Sequence, residues 1–497
     1  MLNLNNKTAN IKHEVLVRIA RLQLEGKLEE GVHFIPREMA PRDRQPMRCC
    51  IFHDREILRM RVLARLGFSI EKIDEERTLA SYAKEALVRE KPTWPMLTVL
   101  HDACNGCVRS HFMVTNACQA CYARPCMMNC PRKAISVEKR AVIDEKLCVN
   151  CGRCLDNCPY HAIIKIPVPC EEACPVGAIS KDENGLETID YHKCIFCGNC
   201  MRECPFGAMM DKSQLVDVIQ KIMSKGRRVV ALYAPSIASQ FKADAGQLEQ
   251  AMLALGFDKV YEVAQGADIC ARKEAGEFEE RMARGDKMMT TSCCSAYVRA
   301  VRIHVPELKD CVSQTRSPMH YTAALAREDD KDCVTVFIGP CIAKRREAFD
   351  DDDVDYVLSV EELSAFLEAK GVDINELEGT EKEKSASRYG RNFAQSGGVL
   401  EAVKSNLKDP SLLREGRING LNKQGMNALK RYGFINSGKI PTPPDCPNLI
   451  EVMSCEGGCI AGPSVITDIK ASASQLKKYV DAASAVPAAA EQNRTAP

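Results

Sequence analysis

The 27 cysteines of this 497-residue chain are placed unevenly, and their placement limits the possible folds more than any other feature. Cys49 and Cys50 stand alone, sixteen fall between Cys104 and Cys204, and nine are scattered from Cys270 to Cys459. So many thiols make either a disulfide framework or a metal protein. Residues 1–30 decide between the two: they carry charges every few positions, with no apolar stretch and no small-residue cleavage site. No window reaches 18 apolar residues, so no membrane span is expected. The reading is a cytoplasmic chain, in which clustered thiols serve as metal ligands. A net charge of +1 gives no electrostatic case for nucleic acid or a membrane surface, which leaves small molecules and proteins as partners.

The same distribution sets the expected domains. Residues 1–95 show apolar positions at i, i+3, i+4 and i+7, as in EVLVRIARLQL, and predict a helical N-terminal extension closed off near Lys91-Pro92 and Trp94-Pro95. Residues 96–210 repeat a Cys-x2-Cys-x2-Cys-x3-Cys-Pro unit and predict an α+β ferredoxin-like region in which bound metal supplies folding energy. Residues 211–470 read as an α/β domain with mostly parallel sheets, since RRVVALYAP and KDCVTVFIGP are apolar runs separated by helical stretches. Residues 471–497 are Ala- and Ser-rich and read as a frayed helix and disordered tail.

A [4Fe-4S] cube takes four thiolates, and the repeated run supplies three to one cube and the fourth to its neighbour. The run is intact at Cys148, Cys151, Cys154 and Cys158, and again at Cys194, Cys197, Cys200 and Cys204. A variant lies at Cys118, Cys121, Cys126 and Cys130. A partial run at Cys170 and Cys174 lacks its leading pair, which Cys104 and Cys107 can provide from a distance. Sixteen cysteines thus make four sets with none over. Exchange of fourth ligands gives Cys118, Cys121, Cys126 with Cys158, and Cys148, Cys151, Cys154 with Cys130. It also gives Cys194, Cys197, Cys200 with Cys174, and Cys104, Cys107, Cys170 with Cys204. Zinc also takes thiolate pairs, but the -x3-Cys-Pro ending is not its pattern. The expected role of this region is electron transfer through four [4Fe-4S] clusters.

Downstream the cysteines stand far apart, in Thr291-Ser292-Cys293-Cys294, Gly339-Pro340-Cys341-Ile342-Ala343-Lys344 and Glu451-Val452-Met453-Ser454-Cys455-Glu456-Gly457-Gly458-Cys459. Three such loops converging on one site is how α/β folds build active centres. These segments resemble the signatures of the [FeFe] hydrogenases, and the resemblance covers about residues 100–470. It implies reversible conversion of protons and electrons to H2 at an H-cluster. Cys294, Cys341, Cys455 and Cys459 would hold its cube, with Cys459 bridging to a two-iron unit carrying CO, cyanide and azadithiolate. Lys344 would bond one cyanide, Pro235 and Ser236 would contact the other, and Met453 would pack beside the irons. For proton delivery it implies Cys293 as first relay thiol, Glu274 and Glu277 as relay carboxyls, and Ser313 as the hydroxyl between thiol and carboxylate. The implied partners are a ferredoxin or separate redox subunit, with H2 and protons as substrates and hydrogenase maturation enzymes to install the two-iron unit.

The chain departs from the family pattern at Ser295, Tyr297, Gly339 and Met319, where Pro, Trp, Met and Gln are usual. These positions line the pocket and bear on rate and oxygen sensitivity rather than iron binding. Cys49, Cys50, Cys270, Cys311, Cys333 and Cys446 are left over as spare thiols, the first two also as a possible thiol switch. Two neighbours of the enzyme reading stay open: a sensory hydrogenase, and a hydrogenase-like iron–sulfur assembly factor without the two-iron unit.

Overall fold

The computed structural model describes residues 6–107, 111–379 and 386–484. The first helix, Lys7–Leu24, starts at Asn6, whose side-chain oxygen accepts the N–H groups of Thr8 and Ala9 at 2.9 and 3.3 Å. Its apolar stripe is wide enough to serve two cores. Val15 and Ile19 join a core of N-terminal helices, built on Ile51–Arg65 and Leu79–Val88, while Leu16 and Ala20 join the core of the C-terminal half. The N-terminal extension is therefore packed against both other regions.

Eight short strands organise the thiol-rich region: β1 (Leu97–Val99), β2 (Phe112–Val114), β3 (Ile135–Val137), β4 (Ala141–Ile143), β5 (Ile163–Lys165), β6 (Ile179–Lys181), β7 (Glu187–Ile189) and β8 (Met209–Asp211). All pair antiparallel, β1 with β8, β2 with β5, β3 with β4 and β6 with β7. The pairing is nested. The unit closed by β2 and β5 lies wholly inside the unit closed by β1 and β8, as an insertion between Cys107 and Cys170. That insertion explains why the second unit's leading thiol pair, Cys104 and Cys107, is so far in sequence from its partners.

Seven parallel strands form the C-terminal half: β9 (Val229–Tyr233), β10 (Lys259–Glu262), β11 (Met289–Thr290), β12 (Val334–Ile338), β13 (Tyr356–Leu358), β14 (Glu415–Asn419) and β15 (Leu449–Met453). They make one sheet of order β10-β9-β12-β13 and another of order β11-β15-β14. Strands β9, β12 and β15 are buried along their whole length, as expected of parallel strands covered on both faces. In the first sheet the strand order reverses at β9 and β12, which pair from Val334↔Val229 to Ile338↔Tyr233. A crevice at the carboxyl end of such a pair is where open α/β sheets bind ligands.

The tail differs from its expected form. Residues Ile469–Asp481 are a helix that buries Ser472, Leu476 and Tyr479. Tyr479 hydrogen-bonds Glu262 at 2.7 Å, and Arg391 holds the same carboxylate with two bonds of 2.7 and 2.9 Å. The Ala- and Ser-rich composition hides this anchoring because two large side chains and one hydroxyl carry it. The remainder of the expected tail, from 485 on, lies outside the described residues. No helix among the described residues is long and apolar enough to cross a membrane.

Candidate active site

The carboxyl ends of four parallel strands deliver the segments singled out in the sequence. β9 runs into Ala234-Pro235-Ser236, β12 into Gly339-Pro340-Cys341, β11 into Thr291 to Cys294, and β15 into Ser454-Cys455. Cys341, Cys455 and Cys459 lie close enough to repel one another as thiolates, and each also feels Cys294. Burial first, and then this mutual repulsion, pushes Cys341 up to about 11 and Cys459 up to about 12. Such a tetrad is a poor arrangement for bare thiols and a good one for a cationic iron–sulfur core, which draws the protons off and neutralises the sulfurs.

The surroundings fit a larger group than a cube. Ser236 is fully buried, and its hydroxyl has no hydrogen-bond partner among the described residues. An orphaned donor at this strand end fits an acceptor ligand such as cyanide. Lys344 is nine-tenths buried; burial alone would lower its proton affinity, but the Glu347 carboxylate at 2.6 Å outweighs that and keeps it charged. Its ammonium also reaches the Cys293 carbonyl at 3.3 Å. Met453 is buried at the end of β15.

Glu347 is a residue the sequence reading missed. It accepts hydrogen bonds from Lys344, Ser295 and Ser317, so three cationic or hydroxyl donors fix it. The signal available was its position three residues after Lys344 on one helix face. The other altered positions also have physical roles. Tyr297 is buried and donates to Thr290 Oγ1 at 2.6 Å, and Met319 is fully buried in the core. At Gly339 an added Cβ would meet the Phe337 ring at 2.8 Å, so that ring uses the space a side chain would need.

Glu274 and Glu277, the carboxyls expected to serve proton delivery, share one helix, Ala264–Arg284, while Cys293 and Ser313 come from loops outside it. Glu274 is fully buried, and its Oε1 accepts the Ser292 N–H at 3.0 Å and the Ser292 hydroxyl at 3.2 Å. Burial pushes its pKa up to about 7. Cys293 lies beside it, its own thiol raised by burial and then by the Glu274 carboxyl and Cys270. Ser313 donates to Glu277 Oε2 at 2.6 Å and is near enough to bias Glu274 as well. It therefore stands between the two carboxyls, not between thiol and carboxylate as expected.

Glu277 has the opposite tuning to Glu274. Burial would raise it, but donors from Ser313, the Gln314 backbone and Arg281 outweigh burial and hold it below the ordinary value. Arg281, four residues on, was not foreseen; it binds Glu277 at 2.6 Å and also the carbonyls of Asp310 and Val312. Cys270, read as a spare thiol, faces Cys293 and Glu274 from the preceding turn.

The other sixteen thiols gather in four groups. Cys118, Cys121, Cys126 and Cys158 line one small cavity, and Cys130, Cys148, Cys151 and Cys154 line another. Cys174, Cys194, Cys197 and Cys200 line a third. Cys107 and Cys170 each feel Cys204, and Cys107 also feels Cys104. Cys455 of the tetrad feels Cys197, and Cys200 feels Cys170, so two groups follow one another inward to the tetrad. At the tetrad's border Gly198, at φ +80°, has Pro463 where a Cβ would be, 2.5 Å away. Only glycine lets the module approach the loop of Cys459 that closely.

Residues 227–463 match the family described as iron only hydrogenase large subunit, C-terminal domain. Residues 118–168 match an LdpA Fe-S cluster-binding domain, and residues 187–210 a 4Fe-4S binding domain. Iron hydrogenase 1 of Clostridium pasteurianum is 28% identical over 380 residues, covering 65% of this chain and 64% of that one. The NADP-reducing hydrogenase subunit HndD of Solidesulfovibrio fructosivorans is 24% identical over 312 residues, covering 52% of this chain and 53% of its own. The chain thus spans less than two thirds of the length of either relative. Among solved structures, the [FeFe]-hydrogenase HydA(deltaEFG) aligns with a TM-score of 0.44 at 18% identity, over 57% of this chain and 94% of that one.

Proposed function

From the premise that the chain belongs to the [FeFe] hydrogenase family, with an N-terminal iron–sulfur region, we propose that it interconverts 2H+ plus two electrons with H2. In this reading Cys294, Cys341, Cys455 and Cys459 would hold the H-cluster, and Lys344, Pro235, Ser236 and Met453 would line the rest of its site. When bound, that group supplies the metal chemistry that makes and breaks the H–H bond. The protein's share is to bind it, exclude water from it and move the proton.

One observation carries the reading: a chain of proton-bearing side chains leads away from the thiol tetrad. Cys293 and Glu274 are both biased toward their protonated forms, and Glu277 toward its ionised form. Protons leaving the site pass from Cys293 to Glu274, then through the Ser313 hydroxyl to Glu277 at the more exposed end. Two carboxyls with opposite tuning make such a transfer directional in its occupancy and reversible in its energetics. An iron–sulfur carrier needs the four thiols and none of this relay.

The sixteen remaining thiols hold four [4Fe-4S] clusters in the proposed electron path. The inserted unit, residues 111–166, carries eight Lys and Arg against four Asp and Glu, and it exposes Tyr122, Met128, Val149 and Tyr160. A basic unit that exposes apolar side chains and carries cluster thiols suits an acidic electron carrier, a ferredoxin or a separate redox subunit. The proposed setting is reducing and cytoplasmic, where clustered thiols stay available as metal ligands. The two-iron unit requires dedicated maturation enzymes in this reading.

Infrared spectroscopy tests the proposal. Anaerobically matured protein should show bands of metal-bound CO and cyanide. Full iron–sulfur content without those bands would overturn the enzyme reading in favour of an iron–sulfur carrier.

A further inference from the structure

Cys49 and Cys50 belong to none of the five thiol groups. They precede the Ile51–Arg65 helix, with Cys50 at its N-cap, Cys49 exposed and Cys50 half-buried. Their sulfurs are 4.0 Å apart. The other unassigned cysteines, Cys270, Cys311, Cys333 and Cys446, are all buried. Among thiols outside the cluster sets, Cys49 is the one that stands exposed to a reagent in solution, with Cys50 beside it.

The loop around the pair is fixed in place. Asp54, on the first turn of the helix, accepts the N–H groups of Met47 at 2.7 Å and Arg48 at 3.1 Å. Arg48 donates to the Ala103 carbonyl at 2.8 Å and to Asn105 at 2.9 Å. His53 Nε2 lies 3.2 Å from the Asp102 carbonyl oxygen. All three anchors are in the segment that bears Cys104 and Cys107.

The hydrogen bond of His53 also fixes its tautomer. A carbonyl can only accept, so Nε2 carries the proton and Nδ1 is left with a free lone pair. That Nδ1 is 3.2 Å from Cys49 Sγ, placed to take the thiol proton. Cys50 is activated differently. The backbone N–H groups of His53 and Phe52 at the helix start lower its proton affinity, which favours the thiolate. One sulfur is thus stabilised as a nucleophile, and the other has a base beside it.

We propose that Cys49 and Cys50 are a reactive dithiol site for low-molecular-weight aliphatic disulfides, closing reversibly to a Cys49–Cys50 disulfide beside the segment of Cys104 and Cys107. The Cys50 thiolate attacks one sulfur of RSSR, forming a mixed disulfide and releasing RS−. His53 then takes the proton of Cys49, whose sulfur attacks Cys50 and displaces the second RS−. Both thiolates leave as RSH after taking up the two protons of the pair. RSSR is reduced by two electrons, and the two cysteines are oxidised by two. Closing adjacent cysteines strains the ring, so the bond returns readily to dithiol when thiols are in excess. The site stands apart from the proposed hydrogenase activity and does not depend on it.

The test uses the full chain with its clusters in place, incubated anaerobically with glutathione disulfide. Free thiols are then blocked with N-ethylmaleimide, and the chain is unfolded and cut with trypsin. Cleavage after Arg48 and Arg55 releases a peptide holding Cys49, Cys50 and no other cysteine. That peptide should be two hydrogens lighter and free of maleimide, and dithiothreitol should return it to the doubly labelled form. Cys49→Ser should stop at one glutathione on Cys50, and His53→Gln should slow closure about tenfold or more by removing the base. A peptide still doubly labelled after exposure to the disulfide would overturn the proposal. So would a mixed disulfide that persists on Cys50 in the unaltered chain.

Discussion

The Arg345 guanidinium donates to the Asp211 carboxylate at 2.7 Å, and both side chains are buried. Arg65 of the N-terminal helices holds the other oxygen of Asp211 at 2.8 Å. Arg345 also binds Glu362, and Arg65 binds Glu361 at 3.1 Å. Asp211 ends β8 of the cluster region, and Arg345 follows Lys344 of the candidate site. One carboxylate thus joins all three regions of the chain where no solvent screens it.

Removing it should be costly. Asp211→Ala leaves two buried guanidinium groups short of a partner and should destabilise the holo-protein by about 3 kcal/mol, the usual scale for a broken buried pair. Burial opposes the charge of Asp211, but Arg65 and Arg345 outweigh it and hold the carboxyl well below its ordinary value. Its contribution is present above the unfolded carboxylate pKa of roughly 4 and is lost as pH falls below that. Denaturant unfolding of wild type and variant should differ equally at pH 6 and pH 8, and converge in acid. A difference under about 1 kcal/mol at pH 7 would mean that Glu361 and Glu362 suffice for both arginines.

Glu274→Gln separates the relay from stability. Gln keeps an acceptor for Ser292 but cannot exchange protons, so H2 turnover should fall about 10²- to 10⁴-fold with iron content unchanged. The raised carboxyl works against the wild-type fold at high pH: its stabilising proton is held in acid and lost as pH rises through about 7. The variant should therefore match wild type near pH 5 and be more stable above pH 7.5. Turnover measured with an artificial electron donor and thermal unfolding at the two pH values check both halves. Unchanged turnover would route the proton elsewhere.

The motifs were legible because their chemistry is local. A cube needs thiols at fixed spacing, so sixteen cysteines could be counted into four sets of four, whereas the insertion that separates Cys104 and Cys107 from Cys170 and Cys204 has no spacing rule of its own. Contacts between distant residues were not legible. Nothing near Ser295 or Ser317 indicates that both would reach Glu347, and nothing near Asp211 indicates Arg65. Arg281 and Glu347 lay within one helical turn of residues already singled out, so an i,i+3 and i,i+4 search would have found them. The helix Ile469–Asp481 reads as frayed from composition alone, because its anchoring comes from Glu262 and Tyr233, which composition cannot show.

The Gly457-Gly458 pair offers a test of how the thiol tetrad is held. Gly458 has φ +94° and ψ −162°, a region essentially closed to other residues, at a cost of about 1–3 kcal/mol. An added Cβ would also stand 2.7 Å from the Ala394 carbonyl oxygen and the Ser396 nitrogen, both backbone atoms that cannot rotate away. Gly457 has φ +95°, but its Cβ would meet nothing nearer than 3.7 Å. Gly458→Ala must displace the turn between Cys455 and Cys459, whereas Gly457→Ala bears only the backbone term. Iron analysis after anaerobic reconstitution should therefore show Gly458→Ala losing one cube's worth of iron while Gly457→Ala keeps its full content. Equal loss in both would mean that the left-handed turn, not the close approach to Ala394 and Ser396, sets the position of Cys459.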